Sequence, residues 1–442
     1  VLLDCGFFQG RRQESLAVNR QLGVQPRELD AVVLSHAHID HSGALPLLVK
    51  NGYSGPIYAT PATRDLCVAM LTDAAMIQEA DARYINKAIR RDRAHMDPVE
   101  PLYDEDDVLK TLEQFVTVAY HRPQAIAADT HLTFLDAGHV LGSAITVLDV
   151  EDEGLSKRLV FTGDLGRKHM PILRDPEIAS GAHLLLTEST YGDRLHSPIE
   201  QMDDALASAV CRAHARGGKI IIPSFALERA QELVYAFKRL RHAGRIPPIP
   251  VYVDSPLTVK ITEIFKLHPD CYDADARKLL VGARSPFEFD ELSYVADKEA
   301  SQALDASRDS CVIIAASGMC EAGRVVHHLK ATIENSNHMV IIVGFQAQHT
   351  LGRRIVERRP AVRIFGVERP LRAEVVVLNG FSAHADQQDL IDYAEAVRHR
   401  GPLRDVVLVH GEPAAQSVLK ARLEGAGFPN VHTPTRGDRL HF

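Results

Sequence analysis

Between Val32 and Leu48 the chain reads VVLSHAHIDHSGALPLL, and four side chains able to bind a metal, His36, His38, Asp40 and His41, fall within six residues. Imidazole nitrogens and carboxylate oxygens together suit zinc. His36 and His38 are two apart and point the same way on an extended chain, whereas the adjacent Asp40 and His41 point apart. Four ligands facing two ways do not close one tetrahedral shell. Two neighbouring ions would use them all, His36 and His38 on one, Asp40 and His41 on the other.

Each ion then still lacks ligands, and short polar breaks at strand ends elsewhere supply candidates. LDAGHVLGSA sets His139 between glycines that allow backbone to crowd near an ion. LVFTGDLG puts Asp164 in a turn after a strand, and VVLVHGE does the same for His410. Alone, each reads as a cap or turn residue; with the opening cluster they make up the missing count. Asp164 is the natural bridge, because a carboxylate has two oxygens.

HxHxDH, then GHxxGS, then a Gly-Asp turn resembles the metallo-β-lactamase fold. Glu188 in TESTYGD, His384 in GFSAHAD and His410 in VLVHGE resemble the extra motifs of its β-CASP branch, which includes the endonuclease of messenger-RNA precursors and ribonuclease J. The similarity spans essentially the whole chain. It implies an α/β fold, an αββα sandwich interrupted by a Rossmann-like β-CASP domain. It also implies two zinc ions per chain, one on His36, His38 and His139, the other on Asp40, His41 and His410, with Asp164 shared. Asp4 in LLDCG matches the family's first motif, a carboxylate that orients the site. The family has about two strands before this motif, roughly 20 residues. They are absent here and the chain starts at Val1, so a preceding segment is expected. His349 stands where relatives often have Gly.

The elements that must position these residues follow from periodicity. Strand-like runs at Val1–Asp4, Ala31–Ser35 and Ile57–Ala59 are followed by a helical pattern at Pro61–Ala80. Strands at Leu132–Leu135, Ala144–Val150, Arg158–Thr162 and His183–Thr187 are spaced for antiparallel pairing. After Tyr191 apolar β-branched strands alternate with helices, the pattern of a parallel, doubly wound sheet. This gives a metallo-β-lactamase domain over residues 1–192, an inserted β-CASP domain over 193–371, and a C-terminal return over 372–442.

The implied reaction is hydrolysis of RNA phosphodiester bonds in a cleft between the two domains. Two zinc ions activate water and stabilise the oxygens at phosphorus, so no Ser or Cys nucleophile is needed. The leaving oxygen needs a proton, and His384 is assigned as the general acid, with Glu188 on its other ring nitrogen. Asp4, Asp40, Glu188 and His384 form the catalytic group. In the inserted domain PSFALERAQEL, DSPLTVK and ASGMCEAGR each end a strand with Ser or Gly before a helix. Ser224, Ser255, Ser317 and Gly318 are therefore candidates for phosphate contacts, with Arg229, Arg324, Arg353 and Arg354 adding charge. Aromatic residues are only 6% and Trp is absent, so backbone reading is expected over extensive base stacking.

The 442-residue length suits two domains, and no apolar run approaches a membrane span. Six scattered Cys without a CxxC pair argue against a disulfide framework or thiolate zinc site and fit a reducing cytoplasm. The net charge of −8 requires any RNA groove to be locally basic. Rival readings are a DNA nuclease, a small-molecule hydrolase, or a non-catalytic RNA-processing subunit. By the same resemblance, His410 favours RNA, since DNA-processing relatives tend to replace the final-motif His, and the full ligand set disfavours a silent subunit, since such relatives lose ligands. Endonucleolytic and 5′–3′ exonucleolytic cutting both stay open, as does the oligomeric state, for which a homodimer is one candidate.

Overall fold

The computed structural model describes residues 1–8, 18–91, 97–152, 154–281 and 285–441. The chain forms two compact units, one of Val1–Lys168, Asp175–Arg194 and His384–Phe442, the other of His169–Arg174 and Leu195–Ala383. No helix among the described residues is long and apolar enough to cross a membrane.

In the first unit a four-stranded parallel sheet runs in the order Leu2–Leu3, Val32–Val33, Ile57–Ala59, Phe115–Thr117. A seven-stranded mixed sheet runs Asn430–His432, Asp405–Val409, Leu184–Glu188, Leu155–Phe161, Ala144–Asp152, Thr130–Asp136, Gln124–Ala127. Thr130–Asp136 alternates inward and outward along its length, as a strand with one buried face must. Its inward Leu132 and Phe134 pack with Val33, Tyr58 and Leu148, so the two sheets share a core. Helices Gln387–His399 and Pro413–Gly425 cover the larger sheet through Leu390, Tyr393, Leu419 and Leu423.

The expected antiparallel meander holds for Thr130–Asp136, Ala144–Asp152 and Leu155–Phe161. Leu184–Glu188 departs from it and pairs parallel with Leu155–Phe161. The connection between them is long enough for the crossover a parallel pair needs, and it carries Asp164.

The second unit holds a six-stranded sheet, all parallel, in the order Leu292–Val295, Val251–Asp254, Val312–Ala315, Ile220–Pro223, Met339–Ile342, Glu374–Val377. Ile220–Pro223, Val312–Ala315 and Met339–Ile342 are buried at every residue, because helices cover both faces of such a sheet. Glu374–Val377, expected in the C-terminal return, is the outer strand of this sheet, and the chain re-enters the first unit at His384. An apolar β-branched run states that a strand forms, not which sheet receives it.

Candidate metal centre

Every residue of the candidate centre lies in the first unit, mostly at or just past the C-terminal end of a strand. Asp4 follows Leu2–Leu3, His36 follows Val32–Val33, His139 follows Thr130–Asp136, Asp164 follows Leu155–Phe161, Glu188 ends its strand, and His410 follows Asp405–Val409. His38 caps the short helix Ile39–Ser42, which carries Asp40 and His41. The DCGF loop runs beside this helix, with Cys5 N–H on His41 O at 2.7 Å and Phe7 N–H on Ile39 O at 3.0 Å. Gly6 permits the approach, since a Cβ there would collide with the Asp40 carbonyl. Asp4 itself has φ +57°, a left-handed conformation Asp tolerates, and its carboxylate accepts the Ser35 N–H at 2.7 Å.

Among the described residues three groups of candidate ligands result: a first cluster of His36, His38, His139 and Asp164, a second of Asp40, His41 and His410, and a third set, Asp164, Glu188 and His410, that overlaps both. In the first, His36 Nε2 lies 3.1 Å from His38 Nδ1, which lies 3.4 Å from His139 Nε2. Asp164 Oδ2 is 3.6 Å from His36 Nε2 and 3.5 Å from His139 Nε2. Zinc with bonds of about 2.0–2.1 Å sets tetrahedral ligand atoms about 3.3–3.4 Å apart, so these donors fit one ion. Burial, then neighbouring imidazoles, hold His36 and His139 far below the ordinary histidine range, and burial holds His38 at about 4. Neutral imidazoles are what a metal requires.

In the second cluster His41 Nε2 is 3.3 Å from Asp164 Oδ1, and both atoms are buried without a well-formed hydrogen bond. His410 Nδ1 is 3.2 Å from the same oxygen, while its Nε2 is 3.6 Å from Asp40 Oδ2. Asp164 thus faces both clusters, one oxygen to each. Burial disfavours charge on His410, but Asp164 and Asp40 outweigh it and raise the imidazole to about 9. Burial likewise opposes charge on His41, yet Asp164 and Asp4 raise it well above the usual range. Asp4, Asp40, Asp164 and Glu188 concentrate negative charge that calls for cations, and the donor set suits zinc.

Sequence reasoning missed the residues that fix the imidazoles. Ser35 Oγ donates to Asp4 Oδ2 at 2.7 Å and lies 3.0 Å from His36 Nδ1. With its one proton on Asp4, the hydroxyl must accept from His36 Nδ1, which leaves Nε2 bare for a metal. Thr190 Oγ1 lies 3.2 Å from His410 Nδ1. A hydroxyl adjoining a ligand motif was the available signal for Ser35; Thr190 lies 220 residues from His410 and gave none.

His384 stands beside the first cluster, its ring 4.4 Å from that of His139. Its Nδ1 is 3.1 Å from both Glu188 oxygens. Burial works against charge on His384, but Glu188 and then Asp164 outweigh it and raise its pKa. Glu188 is fixed in turn by the Leu165 N–H at 2.7 Å.

The candidate phosphate contacts fall in the second unit. Ser224, Ser255, Ser317 and Gly318 all follow the C-terminal ends of parallel strands. The Ser224 hydroxyl donates to Phe225 O, Ser255 Oγ caps the helix Pro256–Leu267, and Ser317 Oγ bonds Ala322 O. Arg353 is half-exposed and paired with Glu357 at 2.9 Å. Two arginines read as phosphate contacts are instead committed within the fold. Arg229 is buried against Glu232, and Arg324 bonds the buried Asp254 at 2.5 Å plus the carbonyls of Val295 and Ala296.

Residues 1–206 match the metallo-beta-lactamase superfamily, residues 230–355 the Beta-Casp domain, and residues 368–434 the Zn-dependent metallo-hydrolase RNA specificity domain. Over 412 residues the chain is 38% identical to ribonuclease TTHA0252 of Thermus thermophilus, covering 93% of this chain and 88% of that protein. The chain belongs to the β-CASP family of metallo-β-lactamase-fold hydrolases. Transcription termination factor FttA of Methanosarcina mazei is a further β-CASP relative, 33% identical over 450 residues, covering 98% of this chain and 67% of that protein. The candidate ligands and the Glu188–His384 pair are thus found in a β-CASP chain, all within the metallo-beta-lactamase and RNA specificity domain matches, and the β-CASP match is confined to the second unit.

Proposed function

We propose that this β-CASP chain is a two-zinc ribonuclease that hydrolyses RNA phosphodiester bonds. The observation that carries the reading is the meeting of two ligand clusters at Asp164, with a carboxylate-held imidazole beside them. His36, His38 and His139 would hold one zinc and Asp40, His41 and His410 the other, with Asp164 facing both. Zinc bound there would supply an activated water and positive charge near the phosphoryl oxygens.

The chain's own groups do the rest. Glu188 keeps His384 protonated and oriented by its Nδ1, and Nε2 delivers the proton to the departing oxygen. Asp4 holds His41 directly and His36 through Ser35. RNA is favoured over DNA by the name of the Thermus relative and by the RNA specificity domain that matches residues 368–434. The six cysteines are free, which supports a reducing, cytoplasmic setting.

The deciding experiment incubates zinc-loaded protein with end-labelled RNA and DNA of one sequence. RNA should be cut and DNA spared, and the ladder separates internal cutting from digestion at an end. Intact RNA with a full zinc complement would overturn the proposal.

A further inference from the structure

Phe225 and Phe345 are 43% and 40% exposed. Large apolar rings left in water forgo the stabilisation that burial would bring. Both follow the C-terminal ends of strands that pair with each other, Ile220–Pro223 and Met339–Ile342. Ligands of open parallel sheets bind at such ends. Among the described residues neither ring stacks on another aromatic ring.

The surroundings are built to hold the rings. Phe225 lies against Gly318 at the end of the next strand, Val312–Ala315; a Cβ on Gly318 would sit 2.9 Å from Phe225 Cδ2. Gln346 is buried, and its amide donates to Gly318 O at 3.0 Å and Gly344 O at 3.4 Å. That side chain ties the floor under Phe225 to the loop bearing Phe345. Gly352 leaves room for it, since any Cβ there would collide with Gln346 Oε1. Just beyond, His349, Arg353, Arg354 and Arg359 line a cavity of about 220 Å³ with Glu357 as the one carboxylate. Aromatic faces next to an excess of guanidinium groups match a nucleotide, apolar base and anionic phosphate together, better than an apolar peptide.

We infer that Phe225 and Phe345 form a shelf on which bases of single-stranded RNA stack. This rests on the ribonuclease reading and deepens it, because it adds base contact where backbone reading was expected over extensive base stacking. Stacking needs no particular base, since each has a π face, so the shelf adds affinity without sequence preference.

The test measures binding of a fluorescent RNA oligomer and an abasic oligomer of equal length and charge, in a His384→Ala background that slows turnover. Phe225→Ala and Phe345→Ala should each weaken RNA binding by roughly 5- to 100-fold, while abasic binding stays unchanged. Phe225→Tyr should restore RNA binding, and 2-aminopurine in the oligomer should be quenched by the protein with intact rings and not by the double alanine variant. RNA affinity unchanged in both alanine variants, or equal loss on both oligomers, overturns the shelf. Should the wild-type protein cut RNA under those outcomes, the ribonuclease reading stands and only the shelf falls. Failure of the wild-type protein to bind or cut RNA removes both.

Discussion

Asp4 Oδ2 lies 2.6 Å from His41 Nδ1 and also accepts the Ser35 hydroxyl, so one carboxylate reaches an imidazole in each ligand cluster. Asp4→Asn replaces an acceptor with a group that is half donor and disturbs both contacts. Zinc affinity should fall by about 10–100-fold, the usual effect of losing a partner behind a ligand. Ser35→Ala should weaken chiefly the cluster of His36. Competition against a graded series of chelators measures both variants, and wild-type affinity in Asp4→Asn would show that the carboxylate does not orient the ligands.

Asp164 and His410 should separate by stoichiometry. Asp164 faces both clusters, so Asp164→Ala should lower zinc content at both. His410→Ala should leave about one zinc per chain, because an imidazole serves one ion. Elemental analysis of protein purified without chelator reads this out. Two zinc ions retained in His410→Ala would remove His410 from the ligand set.

His384 carries a role assigned by chemistry rather than by metal spacing. His384→Ala should keep its zinc and lower the cleavage rate by roughly 10²–10⁴-fold, the range of a positioned proton donor. The loss should shrink on an aryl phosphodiester whose phenol leaves without a proton. Glu188→Gln should show a milder form of the same selectivity. Equal loss on both substrates, with metal retained, would leave His384 a positioning residue.

A second histidine, in the second unit, gives a pH signature of its own. His328 is buried, 2.7 Å from Asp254 through Nε2 and 2.7 Å from Asp305 through Nδ1. Burial opposes its charge, but the two carboxylates win and raise its pKa above 6.5. A raised folded-state value means that this contribution is complete below about pH 6.5 and is lost as pH climbs through the folded value. Burial also opposes charge on Asp254, yet His328, Ser301 and Arg324 prevail and lower its pKa below 3.8. That contribution is present above about pH 3.8 and fades as pH falls through the lower folded value. Wild-type minus His328→Gln melting temperature should therefore shrink as pH rises above 6.5. A difference that stays flat to pH 9 would count against the charged His328.

Legibility from sequence followed range. HxHxDH was readable because its four candidate ligands fall within six residues, and the strand-end residues His139, Asp164 and His410 were readable because glycine marks each break. The αββα sandwich and the inserted parallel sheet came through resemblance and through fully apolar strands such as IIIP and VIIA. What escaped was partnership at a distance. Arg324 was offered to phosphate because Asp254, 70 residues away, leaves no mark beside it. Arg229 was the avoidable misreading, since Glu232 stands three residues on. Exposure of Phe225 and Phe345 depends on where two strands end side by side, which composition does not report.

His384 and His410 lie in the last part of the chain, beyond the whole inserted unit, although their partners Glu188, Asp164 and Asp40 precede it. The part of the chain before Leu195 carries His36, His38, His139 and Asp164. It has neither the proton donor nor the final imidazole until the unit between has been synthesised in full. The proposed proton donor and the last candidate ligand are therefore the final parts of the site to be made, together with the strands Asp405–Val409 and Asn430–His432 that complete the larger sheet.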